Sequence, residues 1–280
     1  MKTHGKCVVF VALMMLSIMS VGSVTLPEAS AQPSFAAASF KFDCLFSHSR
    51  SDDPIVYPRQ PGASHLHDFF GNTSTDAYST LTSLRTAGTT CEEQSADKAA
   101  YWVPSLYKDG VRVKPTELSP YYVLGGKRVG SIKTIPDGLR MLTGDPNATE
   151  PQPQFTTIWS CFDGSAQVFN RGSEVPSCAL GAHLVLSVRF PDCLDGRHID
   201  SADHRSHMAQ SRSDGSCPST HPVPLPELVL NIHYPIRGGR GVTLSSGGKY
   251  SAHADFINAW NPTTLAELVK RCLNGVTKCR

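Results

Sequence analysis

The sequence has few charged residues and almost no imbalance of charge. Only 18% of its 280 residues are Asp, Glu, Lys or Arg, and the formal net charge is +2. A broad basic field for nucleic acid and an acidic tail are both missing, so we expect no nucleic-acid partner. The motifs of serine esterases, zincins, P-loop enzymes and Rossmann enzymes are also absent: G-x-S-x-G, H-E-x-x-H, the Walker A loop and G-x-G-x-x-G. Function must therefore come from particular side chains outside these motifs.

Long apolar runs are scarce as well. An apolar run at 7–19 follows two lysines and precedes the small residues Ala-Ser-Ala at 29–31. This arrangement is typical of a cleaved secretory signal, so we predict a signal peptide at 1–31 and a single secreted domain at 32–280. An uncleaved N-terminal anchor is the less favoured alternative, because the run is shorter than the ~20 residues that span a bilayer. We expect no transmembrane segment once the signal is removed.

Nine cysteines are present, and eight of them remain after signal removal. No two show the C-x-x-C spacing of a zinc ribbon or redox site. An even set in a secreted chain is expected to form disulfides. Eight cysteines allow 105 connectivities, and we predict pairing between sequence neighbours because each such pair closes a short loop. The predicted pairs are Cys44–Cys91, Cys161–Cys178, Cys193–Cys217 and Cys272–Cys279.

Helical periodicity is rare in this sequence. One amphipathic pattern at 265–273 predicts a C-terminal helix, capped by Thr263 or Thr264. Short β-rich runs bounded by turn residues are frequent, and the clearest lie at Phe155–Phe162, His183–Phe190 and Leu228–Tyr234. We therefore predict a mainly β, β-sandwich-like domain with long loops and a C-terminal helix, stapled by disulfides. An α+β fold remains an alternative.

The segment 197–226 is rich in Ser, Asp and Pro and is predicted to form one or two long ordered loops. Loops of this kind often carry functional sites. His204 and His207 would share a face if this part were helical, although a solvated surface loop is the simpler interpretation. These two histidines, His221 and the aromatic Trp102 are our candidate substrate-binding residues. An aromatic face suits a sugar, but Trp102 equally fits a core position.

Two short patterns of alternating residues are the sharpest signal. His65 and His67 project to one face of an extended segment, and His253 and Asp255 do the same. These four residues predict either a site for one divalent metal ion, zinc or copper, or a metal-free acid–base site. His-x-His alone is common, and a solvated or hydrogen-bonded pair is the simpler alternative. The joint occurrence of the two patterns favours a shared polar site, in which the same four residues are the candidate catalytic groups.

Several segments of the sequence form a recognisable set in a fixed order: Phe46–Arg50, Asp53–Val56, Gly62–Gly71, Asp195–His198 and His253–Trp260. Together they resemble the secreted family called domain of unknown function nineteen-ninety-six. The resemblance runs from about Phe42 to Trp260. It implies that the two histidine patterns belong to one recurring domain of actinobacterial and fungal secreted proteins, some of which carry sugar-binding modules. It implies an extracellular location near polysaccharide and transfers no activity.

The residues and the resemblance together favour a secreted protein that acts at extracellular or cell-wall polysaccharide. If it is an enzyme, we expect a hydrolase or lyase in which histidines hold a metal or transfer protons. Two alternatives remain open: a non-catalytic glycan-binding module, and a metal-binding module with no substrate.

Overall fold

In the computed structural model the chain folds mainly into antiparallel β-strands, as the short alternating runs predicted. The described residues from Ala38 onward belong to one compact unit. Almost all of the predicted signal peptide lies outside the described part of the chain. Among the described residues, no helix is both long and apolar enough to cross a membrane. The structure describes residues 1–2, 38–92, 94–165, 168–275 and 277–279.

The described elements comprise eighteen strands and two α-helices. The strands are β1 Ser39–Lys41, β2 Cys44–Arg50, β3 His67–Gly71, β4 Ala100–Pro104, β5 Leu106–Lys108, β6 Val111–Val113, β7 Glu117–Val123, β8 Arg140–Gly144, β9 Thr157–Phe162, β10 Phe169–Gly172, β11 His183–Arg189, β12 Cys193–Leu194, β13 Met208–Ala209, β14 Val223–Pro224, β15 Glu227–Tyr234, β16 Val242–Leu244, β17 His253–Ile257 and β18 Lys278–Cys279. The helices are α1 Leu81–Thr86 and α2 Pro262–Leu268, and a π-helical segment Val269–Asn274 follows α2.

Twelve of the strands form one sheet. Ten of them follow the order β10-β9-β11-β15-β7-β2-β3-β4-β17-β8, and β1 pairs with β7 and, in parallel, with β18. Two small sheets, β13-β12-β14 and β16-β5-β6, lie outside it. The strand runs predicted within 155–162, 183–190 and 228–234 correspond to β9, β11 and β15, so those predictions are confirmed.

The large sheet curls, so that strands from both of its halves contribute to one main core. Phe190, just after β11, and Phe256 on β17 have ring centroids 6.3 Å apart. The Thr143 hydroxyl of β8 donates to the Arg189 carbonyl oxygen of β11 at 2.6 Å. The large buried side chains of this core include Tyr101, Tyr122, Trp159, Phe190, Phe256 and Trp260. This curled architecture confirms the mainly β fold.

The opposite face of the sheet carries a second, smaller apolar cluster. Alternation along β4 sends Tyr101 and Val103 to the main core and Ala100 and Trp102 to the second cluster. The larger members of the second cluster are Ile55, Phe69, Leu84, Trp102, Leu142 and Ile257. Leu84 comes from α1, a six-residue helix that the sequence analysis did not predict and that begins with a capping box between Thr80 and Ser83.

The predicted C-terminal helix is present, but its cap is not the predicted one. The side chain of Asn261, and not Thr263 or Thr264, accepts the hydrogen bond from the Thr264 N–H. Pro262 fits the first position because its missing N–H would have no partner there. The apolar face predicted within 265–273 is buried in the main core.

The four predicted disulfides are all present with the predicted pairing. They are Cys44–Cys91, Cys161–Cys178, Cys193–Cys217 and Cys272–Cys279. Eight oxidised cysteines are typical of a protein from an oxidising compartment.

The segment 197–226 is mostly loop, as predicted, with short strands at β13 and β14. The disulfide Cys193–Cys217 ties it to β12. His204 and His207 lie in turns, so the conditional prediction of a helical pair does not apply.

Candidate metal centre

The two histidine patterns meet because of strand register. His67 of β3 lies opposite Pro104 of β4, and Asp255 of β17 lies opposite Trp102 of β4. Continuing that antiparallel register by two residues brings His253 to the level of Pro104 as well. His67 and His253 therefore project from the same face of the sheet, on either side of β4.

Three imidazole nitrogens converge at this point. The Nε2 atom of His253 lies 3.1 Å from Nε2 of His65 and 3.4 Å from Nε2 of His67. His65 comes from the loop that leads into β3. Together the three residues form a group whose ligand atoms all lie within 4.8 Å of one another.

Backbone carbonyls fix the orientation of two of the rings. The Nδ1–H of His67 donates to the Asp52 carbonyl oxygen at 3.0 Å, and that of His253 donates to the Ser251 carbonyl oxygen at 2.9 Å. A carbonyl can only accept, so both Nδ1 atoms carry the proton and both Nε2 atoms present lone pairs. The 3.4 Å contact between these two Nε2 atoms is therefore not a hydrogen bond, and a shared cation would relieve it.

The spacing of the nitrogens fits a metal ion. Two imidazole nitrogens, each ~2.0–2.1 Å from a tetrahedral zinc ion, lie about 3.3 Å apart. The two measured separations, 3.1 and 3.4 Å, bracket that value. A carbonyl that holds the second ring nitrogen of a metal-binding histidine is also a common supporting contact in metal sites.

The three histidines differ in their exposure to solvent. His67 and His253 are buried, whereas His65 is partly exposed. Three protein ligands beside an accessible position are typical of a catalytic metal site, while structural zinc sites are closed by four protein ligands.

Burial keeps the three rings neutral and ready to bind a metal. It lowers the pKa of His65, and it lowers the pKa of His67 well below its ordinary value, with the charges of His65 and His253 acting in the same direction. Burial also lowers the pKa of His253 to about 3, opposed by the hydrogen bond to Ser251 and assisted by the charges of His65 and Arg205. Neutral imidazole is the form that binds a metal.

Asp255 does not belong to the three-histidine group. It lies with Asp53 and His67 in a second group whose ligand atoms are within 4.8 Å of one another. Asp255 is 2% exposed and its Oδ2 has no hydrogen-bond partner among the described residues. Burial raises its pKa well above the ordinary value, and the charge of Asp53 raises it further. The environment therefore favours a protonated Asp255 carboxyl beneath His67.

Asp53 is a site residue for which the sequence analysis assigned no role. Burial raises its pKa, and two backbone N–H groups, those of Ile55 and Val56, oppose that rise by donating to its Oδ1. The Asp-Asp-Pro sequence at 52–54 resembles any polar turn, so no local signal marked it.

Asp52 connects His67 to two surface turns. Besides the carbonyl that orients His67, its side chain accepts hydrogen bonds from the N–H groups of Gly62 and Ala77 at 2.9 and 3.2 Å. Two exposed tyrosines lie close to these contacts in the chain: Tyr57, at 39% exposure, in the turn before Gly62, and Tyr78, at 59% exposure, directly after Ala77. These aromatic side chains were missed because a single tyrosine in a polar turn has no sequence pattern.

The four predicted substrate-binding residues lie in different surroundings. Trp102 is fully buried in the second cluster, its ring centroid 5.7 Å from that of Phe69. His207 is buried, and its ring nitrogens contact the Ser201 hydroxyl and the Arg140 carbonyl oxygen.

Both ring nitrogens of His221 are also engaged, by the hydroxyl of Thr220 and the carbonyl oxygen of Ser206. The Nδ1 atom of His204 contacts Asp200 at 2.7 Å. The charge of His204 also acts to lower the pKa of Asp53. Among the described residues, no hydrogen bond reaches the Nε2 atom of His204 or the Nε1 atom of Trp102.

Comparison with known proteins gives one finding. The family model described as "Domain of unknown function (DUF1996)" matches residues 53–260. No curated protein and no solved structure matches this chain.

Proposed function

The chain belongs to the DUF1996 family, whose description states no activity, and from the site itself we propose that it is a secreted, metal-dependent hydrolase of extracellular polysaccharide. The metal is one zinc or copper ion held by His65, His67 and His253. The proposal rests on one observation: the Nε2 atoms of His67 and His253 direct their lone pairs at each other across 3.4 Å.

The residues around the proposed metal ion have different roles. The carbonyls of Asp52 and Ser251 hold the rings of His67 and His253 in the metal-binding tautomer. A bound ion would polarise a water molecule at the position open beside His65. The buried Asp255 carboxyl, next to Asp53 and His67, holds a proton that it can exchange during the reaction.

The polysaccharide part of the proposal is supported by the exposed tyrosines. Tyr57 and Tyr78 lie close in the chain to Gly62 and Ala77, whose N–H groups bind the side chain of Asp52. Exposed aromatic rings near a site suit the apolar faces of sugars. The same tyrosines favour a second candidate function, a glycan-binding module without turnover.

The test of the metal is elemental analysis of protein secreted through its own signal. We expect about one equivalent of zinc or copper in the natural protein and none in a folded His65→Ala/His67→Ala variant. The matched control is His183→Ala/His233→Ala, because those rings also touch, at 2.9 Å, but belong to no group of three possible metal ligands among the described residues. Equal metal content in the two double variants would overturn the proposal.

The test of the reaction is product analysis on a panel of polysaccharides. A hydrolase releases new reducing ends, which a chelator abolishes and zinc or copper restores. Unsaturated products would indicate a lyase instead. Retention of polysaccharide without any product would support the glycan-binding alternative.

A further inference from the structure

A turn at the rim of the metal centre, residues 200–207, is held unusually firmly. The Asp203 Oδ1 atom accepts hydrogen bonds from the backbone N–H groups of Arg205 and Ser206, at 3.1 and 2.9 Å. It also accepts from the hydroxyl groups of Ser201 and Ser206, at 2.7 and 2.9 Å. One carboxylate oxygen thus fixes the backbone immediately around Arg205.

The residue before Arg205 is constrained as well. His204 has φ of +56°, in the left-handed region that non-glycine residues rarely occupy, and its ring contacts Asp200 at 2.7 Å. Such a conformation persists only where the surroundings determine it, and it is frequent at functional sites. The buried His207 anchors the other end of the turn to Arg140 of β8.

Arg205 contacts β8, the strand that pairs with β17, on which the proposed metal ligand His253 lies. Its Nη2 donates to the carbonyl oxygen of Gly144 at 2.9 Å, and Gly144 pairs directly with His253 across β8 and β17. Gly144 has φ of +80°, and a Cβ atom there would lie 2.7 Å from the His253 Cα atom. Only glycine allows this close approach of the two strands, and the carbonyl group of this glycine holds the guanidinium group, whose charge acts on His253.

Arg205 is also exposed and forms no ion pair among the described residues. Arg85 and Arg140, by contrast, each contact a carboxylate. A guanidinium group carries five N–H donors in a planar fork that matches a carboxylate. Most of this fork is available for a ligand at the rim.

We propose that Arg205 binds a carboxylate of the substrate, so that the polysaccharide acted on at this site contains acidic sugars such as uronic acids. The inference rests on the proposed function, because it places the carboxylate beside the metal centre. It adds the charge of the substrate, which the histidines alone do not indicate.

The test uses protein loaded with cobalt, whose visible spectrum reports ligands that bind at the centre. We expect Arg205→Ala to raise the dissociation constant of acetate at least tenfold and to change that of imidazole, a neutral ligand, less than twofold. Arg197→Ala is the matched control, because this exposed arginine lies in the neighbouring loop and its loss changes the net charge equally. Circular dichroism establishes that each variant is folded.

Three results would overturn the inference: no effect of Arg205→Ala, an equal effect on acetate and imidazole, or an equal effect of Arg197→Ala. If cobalt produces no spectrum in the natural protein, the proposed metal centre itself fails and the inference fails with it. If cobalt binds and acetate discrimination does not depend on Arg205, only the inference fails.

A second experiment tests directly whether the bound sugar is acidic. Trigalacturonate should bind the metal-loaded protein at least tenfold more tightly than its fully methyl-esterified form, and Arg205→Ala should remove that preference. Equal binding of the two forms to the natural protein would contradict an acidic substrate.

Discussion

The two faces of strand β4 bury polar groups in opposite ways. On the main-core face, the Trp260 Nε1–H donates to the Tyr122 hydroxyl at 2.9 Å, which contacts Tyr101 at 2.7 Å. Tyr101 in turn donates to Asp97 at 2.8 Å. On the site face, His67 and His253 oppose their lone pairs and Asp255 keeps an unpaired oxygen.

This difference separates a structural network from a functional site. A buried polar network whose members are paired stabilises one packing arrangement, whereas unpaired buried groups cost free energy unless a ligand completes them. The site face therefore carries a cost that a bound ion would offset, and the main-core face does not need one.

The largest expected effect is on the main-core face. Trp260→Ala should lower the free energy of unfolding by about 3–5 kcal/mol, because it opens a cavity and removes the donor to Tyr122. Denaturant unfolding measures the change. Any protein that remains folded should still bind metal, and a specific loss of metal from folded protein would show that the two faces are not independent.

The main-core face should also make the stability of the protein depend on pH. Burial raises the pKa of Asp97 to about 7, against the hydrogen bonds from Tyr101 and the Ala99 N–H. Because the folded pKa is raised, the contribution of Asp97 is complete below pH ~4 and is lost as pH rises through about 7. The loss is on the order of 4 kcal/mol.

The variant Asp97→Asn isolates this contribution from the other titrating groups. The free energy of unfolding is measured from pH 4 to pH 8 for both proteins. As the pH rises, the natural protein should lose stability relative to the variant. A constant difference across that range would contradict the assignment.

A pair of conservative substitutions tests the two faces against each other. Tyr122→Phe should cost about 1–3 kcal/mol, because it leaves the buried Trp260 Nε1–H without its acceptor and removes the contact to the Tyr101 hydroxyl. Asp255→Asn in metal-free protein should be stabilising or neutral within about 0.5 kcal/mol. The carboxyl group that it replaces lies beside Asp53 and already has an oxygen without a hydrogen bond among the described residues, so little is lost. Unfolding of both variants under one condition is the measurement, and an equal cost for the two would remove the distinction.

The smallest effects on stability belong to the exposed tyrosines. Tyr57→Ala and Tyr78→Ala should change the free energy of unfolding by less than about 0.5 kcal/mol. Each should weaken retention in polysaccharide-containing gels by an amount that matches about 0.5–1.5 kcal/mol of aromatic contact. Phe155→Ala, at 61% exposure, is the control, and equal weakening by that variant would indicate non-specific adsorption.

The sequence allowed the local features to be predicted. Alternation predicted that His65 and His67 share a direction, and that His253 and Asp255 do so, while cysteine spacing predicted all four disulfides. Each of these inferences needs only residues close together in the chain or a simple pairing rule.

The remaining features depend on tertiary register. His67 and His253 are 186 residues apart and meet only because β3 and β17 flank β4. The separation of Asp255 from the three-histidine group and the burial of Trp102 follow from the same sheet. Asp53, Asp52 and the two tyrosines lie in turns whose positions are set by long-range hydrogen bonds, which local patterns do not record.

The most direct test of the account is X-ray absorption at the metal edge of the zinc- or copper-loaded protein. The account predicts a shell dominated by imidazole nitrogens, with about three at ~2.0–2.1 Å for zinc, that disappears in the folded His65→Ala/His67→Ala variant. A shell of oxygen atoms only, or an unchanged shell in that variant, would contradict a centre built from His65, His67 and His253.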